Sequence, residues 1–276
     1  MLDILAKARK SFTTEEWKEF HLRSVGIEPS GLSRRQRDAL MLHMVPFVKR
    51  NYNLVELGPR GTGKSHLFQQ VSPYAYLISG GKATVARMFV NNATGQRGLF
   101  CQYDVVCFDE GSGIFFDQKD GVNIMKGYME SGEFSRGKES IRADGSIVLV
   151  GNFEVDVEHQ QRIGHLFGPM PPEMRNDTAF MDRIHAFLPG WDVPKISKEL
   201  LTNHFGLVSD FLSEFWSQLR NQSRVSVLKN RVFFGGALSG RDLSPRSGPS
   251  RQMVVKSTQD FTVSKLTKVR VLASKS

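Results

Sequence analysis

The feature that most constrains this chain is a glycine-rich turn set between a short apolar run and a helical one. In NYNLVELGPRGTGKSHLFQQ, residues 51–70, the segment Gly58-Pro59-Arg60-Gly61-Thr62-Gly63-Lys64-Ser65 fits G-x-x-x-x-G-K-[ST] at every fixed position. Glycines let the backbone curl until successive N–H groups converge on one point, and a helix starting just after adds the positive end of its dipole. A turn of this kind holds a β-phosphate. Lys64 is then expected to reach the β- and γ-phosphates, and the Ser65 hydroxyl to ligate Mg²⁺. His66 completes the set of candidate cofactor-binding residues.

The surrounding pattern is the one such a turn requires. Apolar runs at 54–57, 75–78, 105–108, 147–150 and 184–188 alternate with helical stretches, as at 64–71 and 122–129. Short, nearly unbroken apolar strands separated by helices imply an α/β fold with a parallel sheet covered on both faces. Residues 1–50 read as a helical segment. Thr13 with Glu16 fits a capping box, and Ser33 is placed to cap a second helix that ends near Pro46. After Trp191 the helical pattern returns, at 197–205 and 208–219, as expected of a helical lid behind the core. The expected division is therefore 1–50, a core over 51–190, a lid over 191–242 and a basic, serine-rich tail over 243–276. That tail has no sustained period, and a linker, a disordered tail or out-of-frame translation all suit it better than a packed domain.

Charge narrows the partners only a little. The net charge is +9, but the tail carries +6 of it, which leaves +3 for residues 1–242. No apolar run approaches the ~18 residues that a membrane-spanning helix needs. No basic stretch followed by an apolar one marks a secretory signal at the N-terminus. The two cysteines, Cys101 and Cys107, have no metal-binding spacing. A cytoplasmic protein is expected.

Two further strands end in chemistry. YDVVCFDE, residues 103–110, is an apolar strand closing on two carboxylates. Asp109 at its carboxyl end is placed to hold the Mg²⁺, and Glu110 to orient and deprotonate an attacking water. The strand at 146–150 ends in Gly151-Asn152, where the Asn152 amide can meet the lytic water or the γ-phosphate; an ordinary turn asparagine explains it equally well. Asp182-Arg183 precedes the last strand. Adjacent side chains diverge, so Arg183 is expected to find its partner elsewhere, a neighbouring subunit's γ-phosphate being one candidate.

These motifs in this order look like the AAA+ ATPase module. More specifically, LVELGPRGTGKSH, LISGGKATVARMFVNNATGQRGL, YDVVCFDE, FSRGKES, VGNFEV and AFMDRIHAFLPGW resemble the Lon-related AAA+ proteins of bacterial BREX phage-defence systems, over about residues 6–242. The resemblance implies an ATP- and Mg²⁺-dependent ATPase acting on DNA as a ring homo-oligomer, expected to be a hexamer, alongside other BREX components. It implies roles for Gly58 to Ser65 as the phosphate loop, for Asp109 and Glu110 as the metal and catalytic carboxylates, and for Asn152 as sensor 1. By the same resemblance Arg183 is the arginine finger that completes a neighbour's site and Arg241 the lid arginine of sensor 2. Family members carry a domain before this region and a Lon-type domain after it, so the chain is expected to be shortened at both ends.

The ring's grip on DNA is expected to come from Lys82, after the second strand, and from Arg136, Lys138 and Arg142 in a hairpin-like segment between the acid pair and the Asn152 strand. Such cations suit phosphate contacts, which position without reading sequence. Solvent-exposed turns are the ordinary alternative. Two rival functions stand beside this one: an unfoldase module feeding a protease, and a nucleotide-binding remnant without turnover. Proteolysis by this chain is not expected, because the adjacent Ser264-Lys265 cannot form a nucleophile–base dyad.

Overall fold

The structure is a computed structural model that describes residues 2–222 apart from 81, 92, 110–114, 117–120, 137–138, 154–155 and 163–165. Four helices come first: α1 (Leu2–Arg9), α2 (Thr14–Ser24), α3 (Arg34–His43) and α4 (Val45–Val48). The capping box expected at Thr13 forms, and the cap expected at Ser33 is a capping box as well. The Thr13 hydroxyl accepts from the Glu16 N–H and the Ser33 hydroxyl from that of Gln36, and in each the third residue's side chain returns to the cap N–H. Pro46 stands in the first turn of α4, where its missing N–H costs nothing.

The alternating core follows, from β1 (Leu54–Gly58) and α5 (Lys64–Gln70) to β2 (Ala75–Ser79), β3 (Lys82–Ala83), α6 (Val85–Met88), α7 (Leu99–Gln102), β4 (Val105–Asp109) and β5 (Phe115–Phe116). Then come α8 (Gly121–Ser131), a hairpin of β6 (Glu133–Arg136) and β7 (Glu139–Arg142), β8 (Ser146–Asn152), α9 (Val157–Arg162), α10 (Pro172–Arg175), α11 (Thr178–Met181) and β9 (Ala186–Pro189). A single helix closes the described chain, α12 (Ser209–Arg220).

Five strands make one parallel sheet in the order β2-β4-β8-β1-β9. Alternate residues of each strand point to opposite faces, and both faces are buried. Val55, Leu57, Val106, Phe108, Ile147 and Leu149 pack beneath α6, α7, α8 and the β6–β7 hairpin. Leu54, Val105, Cys107, Val148 and Val150 pack beneath α5, the N-terminal helices and α12. The sheet is thus a middle layer that delivers the ends of β1, β4 and β8 to one edge.

The expected helix at 197–205 does not form. The structure has only a 3₁₀ turn, Lys198–Leu200, followed by an isolated bridge between Ile27 and Leu201. The reason is competition for backbone groups. Glu28 N–H donates to the Leu200 carbonyl and Thr202 N–H to that of Gly26, so this stretch spends its hydrogen bonds on the residues after α2 rather than on itself. The segment at 208–219 is helical as expected. It packs on α4, with the Phe47 and Trp216 rings 5.0 Å apart, so it shares one core with the N-terminal helices.

Candidate nucleotide-binding site

The glycine-rich turn lies between the carboxyl end of β1 and α5. Its three glycines do different things. Gly61 and Gly63 have φ of +83° and +75°, a left-handed conformation that a side chain resists. Gly58 is not left-handed; it is needed because a Cβ there would lie 2.6 Å from the Gly190 Cα. The curl thus rests on two glycines and the packing of β1 on the end of β9 on the third.

Within the turn Lys64 is buried. Its Nζ donates to the Pro59 carbonyl at 2.5 Å and to Thr62 Oγ1 at 3.3 Å. Burial lowers the Lys64 pKa, opposed by the negative fields of Glu56 and Asp109. The Ser65 hydroxyl donates to Asp109 Oδ2 at 2.7 Å, so the two residues expected to share a metal ion already meet. Arg60 and His66 are exposed at the rim. Register puts Asn152 directly beside Gly58, with the Phe153 N–H donating to the Gly58 carbonyl at 3.1 Å. Gly58, Ser65, Asp109 and Asn152 therefore gather at one edge of the sheet. Glu110 and Arg241 lie outside the described residues, as does Lys138.

Arg183 stands apart from this group. It precedes β9, which runs parallel to β1, and its carbonyl accepts from the Asn53 side chain just before β1. It is therefore at the amino edge of the sheet, opposite the phosphate loop of its own chain. Its partner in this structure is not the adjacent Asp182: its guanidinium pairs with Glu130 of α8 and donates to the Ala179 carbonyl. Glu130 is remote in sequence, so only the fold reveals the pairing. Of the expected DNA-contact residues, Lys82 lies on β3 and Arg136 closes β6, while Arg142 lies exposed on β7. The hairpin itself is present and antiparallel.

Two polar residues of the site escaped the sequence reading. Glu56 interrupts the apolar β1 and is fully buried, and His43 at the end of α3 approaches it. A lone acid inside an apolar strand leading into a phosphate loop was the available signal.

Residues 1–246 match the family model described as "Lon-like protease BrxL-like, ATPase domain". The chain belongs to this family. It is 48% identical over 236 residues to the Lon-like protease BrxL of Escherichia coli O9:H4 (strain HS), an alignment covering 86% of this chain and 34% of that protein. It is 44% identical over 242 residues to the Lon-like protease BrxL of Bacillus cereus (strain H3081.97), covering 88% of this chain and 36% of that protein. The chain thus spans about a third of the length of these BrxL relatives. Among the described residues no helix is long and apolar enough to cross a membrane, and no group of three or more His, Cys, Asp and Glu is placed to hold a metal. A Mg²⁺ held mainly by a phosphate needs no such group, and the Ser65–Asp109 contact fits that simpler arrangement.

Proposed function

We propose that this chain is a Mg²⁺-dependent ATPase module of the AAA+ type, working as a ring oligomer on DNA in a BREX-type defence protein. The observation that carries the proposal is the 2.7 Å contact between Ser65 and Asp109, which joins the phosphate loop to the end of β4 where an Mg²⁺ would be shared. In this reading the N–H groups of residues 61–65 cradle the β-phosphate. Lys64 exchanges the Pro59 carbonyl for phosphate oxygens, and Asn152 orients the far side of the site. ATP bound with Mg²⁺ supplies the phosphoryl group and the charge neutralisation that its transfer requires. Glu110 follows Asp109 directly and is assigned the proton of the attacking water.

The place of Arg183 supports the oligomer. A residue at the amino edge of the sheet cannot serve the loop at the carboxyl edge of its own chain, but it can serve a neighbour's. To do so it must exchange Glu130, itself 60% exposed, for a phosphate. The relatives' printed name favours a second reading, in which hydrolysis acts on protein rather than DNA.

The test is ATP hydrolysis against protein concentration, alone, with duplex DNA and with an unfolded protein, alongside Glu110→Gln and Arg183→Ala. The expected result is turnover per chain that rises with concentration and with DNA and falls by about 10³ or more in either variant. Stimulation by unfolded protein alone selects the second reading. Tight ATP binding without turnover leaves a nucleotide-binding remnant.

A further inference from the structure

Beneath the phosphate loop lies a polar pair that the chemistry above does not use. Glu56 is 0% exposed, and neither of its carboxyl oxygens has an aligned hydrogen-bond partner. His43 is 3% exposed and brings its Nε2 to 3.0 Å from Glu56 Oε2, close but off the line of a straight hydrogen bond. The same ring packs against Phe68 of α5, centroids 4.9 Å apart, and faces the Lys64 backbone. His43 thus touches two elements, the strand that leads into the loop through Glu56 and the helix that leaves it through Phe68.

Burial alone does not explain why two polar groups stand here. Replacing a buried polar pair with apolar side chains of similar volume is often neutral or stabilising, so what the pair contributes is direction. Burial pushes the Glu56 carboxyl up to about 8, and burial together with the Lys64 charge pulls His43 down to about 3. Both shifts favour the uncharged forms. The acid O–H can then donate to Nε2 after a small rotation, leaving Nδ1–H to donate to the Lys64 carbonyl.

We propose that Glu56 and His43 are positioning residues for the phosphate loop, forming a buried acid–imidazole bridge from β1 through the end of α3 to the backbone at the first residue of α5. The bridge holds the start of α5, and so sets where Lys64 and Ser65 stand. It also makes the loop sensitive to α3, because a shift of that helix moves the ring that holds Lys64. Its consequence for catalysis rests on the nucleotide-binding reading above; the bridge itself does not.

The test compares the wild type with Glu56→Leu, His43→Leu, the double leucine variant and Glu56→Gln, whose amide can still donate to Nε2. Amide hydrogen exchange of residues 60–67 is followed without nucleotide, ATP affinity by titration calorimetry, and folding by thermal unfolding. The expected result is that the leucine variants stay folded, exchange the loop about tenfold faster and bind ATP about tenfold more weakly, while Glu56→Gln stays within about threefold of wild type on both. Folded leucine variants with wild-type exchange overturn the proposal. So does a Glu56→Gln variant whose loop exchanges about tenfold faster than that of the wild type, and this comparison with the wild type still decides if the leucine variants do not fold. If the wild type binds no ATP, the nucleotide reading fails while the exchange measurement still decides the bridge.

Discussion

Burial moves Glu56 and His43 in opposite directions along the pH axis, and at the residue scale this makes them visible in stability. Glu56 ordinarily titrates at 4.5 and here at about 8, so between those values the folded chain keeps a proton that the unfolded chain has released. Its contribution is complete below pH 4.5 and is lost as pH rises towards 8. His43 ordinarily titrates at 6.5 and here at about 3, so its contribution is complete above pH 6.5 and is lost as pH falls towards 3. Between 4.5 and 6.5 the two slopes cancel. Urea midpoints measured against pH are therefore expected to be flat across that window for this pair and to fall on both sides. Glu56→Gln is expected to remove the fall between pH 6.5 and 8 and to expose the histidine's slope below 6.5. Parallel profiles for the two proteins would mean that Glu56 is already ionised near neutrality.

Among the elements, β1 and β9 meet at their carboxyl ends through Gly58 and Gly190 with no room for a side chain. A Cβ on Gly58 would lie 2.6 Å from one backbone atom and 2.7 Å from the next, and backbone cannot rotate aside. Gly61 differs: a Cβ there meets nothing within 4 Å, and only its φ of +83° resists substitution. Gly58→Ala is accordingly expected to push the strands apart at a cost of about 1–3 kcal/mol, lowering the melting temperature by several degrees. Gly61→Ala is expected to cost about 1 kcal/mol and to leave the β1–β9 spacing unchanged. A melting loss in Gly58→Ala smaller than that in Gly61→Ala, or an unchanged β1–β9 spacing in Gly58→Ala, would refute this division of roles. The five strands of the sheet were legible because buried parallel strands are written as nearly unbroken apolar runs. Their ends were legible because the phosphate loop, Asp109 and Asn152 are short-range patterns. The 197–205 stretch was misread because its fate depends on Gly26 and Glu28, far away in sequence. Glu130 as the partner of Arg183, and His43 as the partner of Glu56, were hidden for the same reason.

Taken as a whole, the molecule has two ends with different duties. The carboxyl edge of the sheet carries the phosphate loop, while the amino edge carries a clasp centred on Arg220, the last residue of α12. The Arg220 side chain is 2% exposed, with Nε 3.2 Å from Asp104 Oδ1 just before β4. It also donates to the carbonyls of Pro46, Lys49 and Asp144, tying α12 to α4 and to the turn before β8. Removing Arg220 leaves a half-buried Asp104 and three backbone carbonyls without their donor, so Arg220→Leu is expected to cost about 3 kcal/mol in urea unfolding. The cost in Arg220→Leu/Asp104→Asn should be smaller than the sum of the single costs, because the second change removes the stranded charge. A cost below about 1 kcal/mol would mean that the apolar face of α12, with Trp216 against Phe47, attaches the helix unaided. Since the clasp and the loop lie at opposite edges of one rigid sheet, ATP affinity of Arg220→Leu at a temperature where it is fully folded is expected to equal that of the wild type. A weakened affinity would show that the amino edge reaches the nucleotide through the strands between them.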